Sequence, residues 1–98
     1  MSGLSKFNLR LYIAGDTQNS AQARANLAAI CRDYLGGQHT VEIVDVLKEP
    51  MRALADGIFM TPTLVTLEPG PTHKIVGTLS QTETILQALD IGHGMVAA

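Results

Sequence analysis

Apolar and polar positions alternate at the start of the chain. Phe7, Leu9, Leu11 and Ile13 are separated by Asn8, Arg10 and Tyr12, a period of two that predicts a strand ending at Gly15-Asp16. The period then lengthens. Ala23, Leu27, Ile30, Cys31, Tyr34 and Leu35 recur at steps of three and four, the spacing of one helix face. Asn19-Ser20 offers the N-cap and Gly36-Gly37 the stop. Residues 40–46, TVEIVDV, are rich in β-branched side chains and predict a second strand. Pro50 stands where the first turn of a short helix tolerates a missing N–H. Behind it Met51, Leu54, Ala55 and Ile58 fall at i, i+3, i+4 and i+7, which predicts a single buried stripe.

The second half continues with MTPTLVTLE, a strand that Pro62 introduces, since proline is confined to strand starts, edges and bulges. Pro69-Gly70-Pro71 forms a turn, and residues 73–76 make a short antiparallel fourth strand. Ser80-Gln81-Thr82-Glu83 has the S-x-x-E form of a capping box, and Ile85, Leu86 and Leu89 line the helix behind it. Residues 91–98 read as a flexible tail. The predicted order is β-α-β-α-β-β-α. Two strands flanking a helix are expected to be parallel with a right-handed crossover. A four-stranded mixed α/β sheet follows, and it resembles the thioredoxin-like plan. In that plan the proline before the third strand is usually cis and faces the loop after the first strand.

Composition narrows the chemistry. With 98 residues the chain suits one domain, and 46% hydrophobic against 16% charged residues is an ordinary globular balance. The net charge of −2 and the absence of a basic stripe speak against nucleic acid. No apolar run reaches the roughly 20 residues of a membrane helix, and no signal peptide is evident, so a cytoplasmic location is expected. The single cysteine, Cys31, excludes CxxC redox or zinc motifs, and its place on the helix stripe predicts an inert packed thiol. The loop 14–20, where redox chemistry would sit, has no cysteine. His39, His73 and His93 fall on a loop, a strand and the tail without ligand spacing. Met51 and Met60 read as core filler. No cofactor motif is present, and no enzymatic activity is expected.

Four stretches carry a more specific resemblance. LYIAGDTQNS (11–20), VDVLKEP (44–50), TPTL (61–64) and VGTLS (76–80) occur in the order and spacing of the KaiB family. The resemblance spans about 9–90. It implies a small bacterial clock protein that binds the KaiC ring ATPase, with a histidine kinase as a further partner class. It also implies two accessible folds: a thioredoxin-like one, and a self-associated ground state of order β-α-β-β-α-α-β. Homo-oligomers, dimer or tetramer, are expected accordingly. By residue matching, Lys48, Met51, Asp56 and Lys74 stand at partner-binding positions, and Pro62, Ala88 and Asp90 at switch positions. Family members often have glycine where Ala88 stands; alanine favours helix by about 1 kcal/mol, which biases this chain toward the thioredoxin-like fold. They also often carry lysine where Gly57 stands. Two other readings remain: a thioredoxin-like stress-response module without a clock role, and a glutathione-binding protein using Pro62, Ser80 and Glu83, with Ser20 as thiol activator.

Overall fold

The computed structural model describes residues 7–68 and 71–89. The elements run β1 (Phe7–Ile13), α1 (Gln18–Tyr34), β2 (His39–Asp45), α2 (Pro50–Ala55), β3 (Thr63–Glu68), β4 (His73–Val76) and α3 (Thr82–Ala88). The sheet order is β2-β1-β3-β4. β1 pairs parallel with β2 and antiparallel with β3, and β3 pairs antiparallel with β4. This is the thioredoxin-like arrangement expected from the pattern, and residues 85–88 are helical, as that arrangement requires.

The alternation in β1 sorts side chains to two cores. Phe7, Leu9, Leu11 and Ile13 join Ala23, Leu27, Ile30, Cys31 and Leu35 of the α1 side, with Leu64, Leu79, Ile85 and Leu89 completing that layer. Tyr12 points the other way, into a smaller core with Val44, Ala53, Ile58 and Val65 beneath α2. Burying a leucine-sized side chain contributes roughly 1.5–3 kcal/mol, so the α1 layer supplies most of the hydrophobic stabilisation. Cys31 is buried in it, and burial pushes its thiol up.

Several local expectations change. Helix α1 begins earlier: Thr17, not Asn19 or Ser20, is its N-cap, with Thr17 Oγ1 accepting from the Ser20 N–H at 3.4 Å. Tyr34 lies off the buried face and is half exposed. Helix α3 has Gln81 as N-cap with no side-chain cap bond, so Ser80 and Glu83 do not form a capping box. His39 opens β2 instead of lying in a loop, and its Nδ1 is buried without a hydrogen-bond partner. The α2 stripe is the largest correction. Ala53 and Ile58 are buried, whereas Met51, Leu54 and Ala55 face outward. Asp90 and the tail 91–98 lie outside the described residues.

Candidate docking surface

The parallel β1–β2 pair and the antiparallel β3 bring three chain segments to one end of the sheet. Ile13 and Asp45 end their strands there, Thr63 begins its own, and Tyr12 pairs with Thr63. The Thr61–Pro62 bond is cis. The Pro62 carbonyl accepts from the Gly77 N–H at 2.9 Å, and Thr63 Oγ1 donates to the Met60 carbonyl at 2.6 Å. These bonds anchor the 60–63 segment between β4 and its own loop.

The facing loop is equally determined. Ser20 is fully buried, and its Oγ accepts from the Ala14 N–H at 3.0 Å and from Thr17 Oγ1 at 2.8 Å. With no exposed surface the hydroxyl is out of reach of a bound thiol, which removes the residue that the glutathione reading required. Asp45 is a turn organiser: its Oδ1 accepts from the N–H groups of Gly15 at 3.1 Å and Leu47 at 3.0 Å. Gly15 has φ +57°, and a Cβ there would meet Leu47 Cδ1 at 3.3 Å, so glycine lets the two loops close together.

Around this end the chain exposes its largest apolar side chains. Leu47 is 71% exposed, Met51 73%, Leu54 62%, Phe59 87% and Met60 62%. They come from the turn after β2, from α2 and from the segment before cis-Pro62. An exposed Leu alone is ordinary; five such residues on adjoining segments make this a candidate interaction surface.

α2 can turn its apolar residues outward because polar contacts hold its inner side. Arg10 Nη1 donates to Asp56 Oδ2 at 2.9 Å, and the Tyr12 hydroxyl donates to the same carboxylate and to the Arg52 carbonyl at 3.3 Å. Arg52 donates to both oxygens of Glu42, at 2.6 and 2.8 Å, and Arg10 Nε adds a third bond to Glu42 at 2.9 Å. The Arg52 and Arg10 guanidiniums hold the Glu42 carboxyl down at about 2. The Tyr12 hydroxyl bond, then Arg10, lowers Asp56 as well. Burial, with Asp56 beside it, raises Tyr12. Asp56 is thus committed to fixing α2 on the sheet.

The remaining candidates separate cleanly. Lys48, Met51 and Lys74 are exposed. Gly57 has φ +68°, and a Cβ there would stand 3.1 Å from Lys74 Nζ, so the Lys74 ammonium fills the space that a side chain at 57 would take. Pro62 is buried and Ala88 partly so. The sequence pattern missed Leu47, Leu54, Phe59 and Met60; their signal was a run of large apolar residues around a helix too short to bury them. Among the described residues no group of three metal-ligating side chains converges, and no helix is long and apolar enough to cross a membrane.

The solved structures with this geometry include chloroplastic thioredoxin z, at a TM-score of 0.71 and 19% identity, covering 91% of this chain and 81% of that one. The N-terminal domain of Synechococcus elongatus SasA matches at a TM-score of 0.63 and 18% identity, over 96% of this chain and 87% of that one. At such identities the likeness establishes the fold alone. Sequence relatives are closer. The circadian clock protein KaiB3 of Synechocystis sp. is 47% identical over 88 residues, 90% of this chain and 86% of that protein. The circadian clock oscillator protein KaiB of Prochlorococcus marinus is 41% identical over 91 residues, 93% and 76% respectively. The KaiB domain model matches residues 10–91. The chain belongs to the KaiB family, and its relatives support a role in a circadian clock.

Proposed function

We propose that this protein is a non-enzymatic clock component that docks on a KaiC-type ring ATPase and modulates that partner's phosphorylation or output. The observation that carries the reading is the exposed apolar face of Leu47, Met51, Leu54, Phe59 and Met60, in a chain of KaiB type. Water-exposed apolar area of this kind is stabilised by a partner that covers it. Within that face Met51 is a direct contact. Lys48 and Lys74 steer an acidic partner surface by charge, which raises on-rate and fixes orientation. Asp56 acts through α2, by holding Arg10 and Tyr12. The reading places the protein in the cytoplasm with its partner.

The test is co-elution with the KaiC-type ATPase from the same organism, with ATP and with ADP, in size exclusion with light scattering. A complex at protein concentrations on the order of 10 µM, weakened about tenfold in Met51→Asp, supports it. If no complex forms under either nucleotide, the reading fails. A histidine kinase tested in parallel scores the alternative partner class.

A further inference from the structure

Among the described residues there are two methionines, Met51 and Met60, and both lie on the docking face. Each is more than half exposed, and neither belongs to the α1-side core or to the core beneath α2. Their main chains are anchored. Met51 is on α2, which the Arg10–Asp56 and Arg52–Glu42 pairs hold to the sheet. The Met60 carbonyl accepts from Thr63 Oγ1 at 2.6 Å. Two thioethers are thus presented to solvent from fixed backbone.

The remaining sulfur among the described residues is arranged the opposite way. Cys31 is the one cysteine of the chain, buried in the α1 layer, and burial pushes its thiol up. The thiolate is the form that peroxides attack, so Cys31 is withdrawn both by access and by protonation. An oxidant that meets this chain meets the docking face before the thiol.

We propose that Met51 and Met60 are oxidation sites through which a peroxide releases the docking face from its partner, which rests on the docking reading above. Hydrogen peroxide transfers one oxygen to each thioether. An S–O bond forms as the O–O bond breaks, the sulfur gives up two electrons, and the second peroxide oxygen leaves as water. The sulfoxide is a polar acceptor on what had been an apolar side chain. A partner that covers it must strip water from the S–O group, which is unfavourable unless a donor replaces that water. Oxidation of a core methionine disrupts packing; here the sulfurs lie outside both cores, so the fold survives and the surface alone changes. The change is therefore a switch and not damage. Its return step belongs to a methionine sulfoxide reductase: two thiols become a disulfide, the oxygen leaves as water, and the thioether is restored. Bound partner and oxidant also compete, because a partner seated on Met51 shields its sulfur.

The test treats the intact chain with hydrogen peroxide beside a free methionine amide, then removes the peroxide with catalase before the KaiC-type ATPase is added. Peptide mass spectrometry locates the oxygen, thermal unfolding reports the fold, and titration gives the affinity. The expected result is one oxygen on each of Met51 and Met60, an unreacted Cys31, and a melting temperature that changes little. The Kd for the ATPase rises about tenfold or more. Methionine sulfoxide reductases of both epimer specificities, supplied with dithiothreitol, restore it. In the double variant Met51→Leu, Met60→Leu, the affinities before and after peroxide are the same. Restoration on the unaltered chain is read whether or not that variant binds. Sulfoxides at both positions with an unchanged Kd overturn the switch alone. So do methionines that stay unreacted while the free amide is consumed, a loss of binding that accompanies unfolding, and a loss that persists in the leucine variant. An untreated chain that does not bind overturns the docking reading and the switch together.

Discussion

Glu42 shows how two guanidiniums convert a surface carboxylate into a structural one. Its carboxyl is lowered from 4.5 to about 2 by the Arg52 bonds first and Arg10 second. A carboxylate whose folded value is depressed contributes stability that is fully present above its unfolded value and lost as pH falls through the folded one. The window here is from 4.5 down to about 2. Because the side chain is 45% exposed, solvent screening limits the contribution to about 1 kcal/mol or less. Glu42→Gln is expected to lower stability by about that amount at pH 7 and to flatten the acid limb of the stability curve. Urea midpoints of both proteins between pH 7 and 2 check this; parallel curves would show that the network contributes nothing. Asp56, lowered in the same direction, leaves the variant with a residual slope. None of this was readable from the residues alone. Arg10, Glu42 and Arg52 are far apart in sequence, and Asp56 appeared only as a position matched to a family.

At the scale of the element, α2 separates pattern from orientation. Met51, Leu54, Ala55 and Ile58 have helical spacing, and spacing says that residues share a face without saying which way the face turns. The polar network grips α2 by Arg52 and Asp56, Ala53 packs on Tyr12 and Val44, and the remaining face turns to water. The 6-residue helix is also too short for one stripe to reach Ile58, which packs from the following loop. Met51→Asp and Phe59→Asp are therefore expected to change folding stability by no more than about 0.5 kcal/mol, as surface substitutions do. In an interface each is expected to cost about 1–2 kcal/mol of binding, roughly tenfold in Kd. Thermal unfolding and titration against the ATPase measure the two effects. A large fall in melting temperature would mean that the face is core after all. The helix caps teach the same lesson. Thr17 caps α1 because Ser20 is drawn inward to the Ala14 N–H, a competition settled by loop geometry.

For the molecule as a whole, β1 is the shared wall of both cores, so the two sides of the sheet are expected to unfold together. Leu64 lies in the α1-side core and Val65 in the α2-side core, one residue apart on β3. Leu64→Ala is expected to cost about 2–5 kcal/mol, and Val65→Ala somewhat less. Both should shift one transition. Denaturation of a Tyr34→Phe variant, in which Tyr12 is the one tyrosine left, followed by circular dichroism and by tyrosine fluorescence, gives coincident curves in that case; separated curves would show that the α2 layer melts alone. The scaffold is that of thioredoxins, yet the loop facing cis-Pro62 has no thiol, and Cys31 is sealed in the α1 layer. What this end of the sheet offers instead is surface.

The sequence by itself determined the element order, the mixed sheet, the buried Cys31 and the KaiB kinship. Those follow from local periodicity and from contiguous motifs, and each is carried by residues close in the chain. Only the tertiary structure decided which way the α2 stripe faces, that Asp56 and Glu42 serve a network of distant partners, that Ser20 is sealed, and that β2 is the outer strand of the sheet among the described residues. Ser20 is sealed by a loop that folds back on Ala14 and Thr17, and the others depend on contacts between segments ten or more residues apart in the chain. Hydrophobic spacing sets what can be buried; the competition among long-range contacts for one small core settles what is.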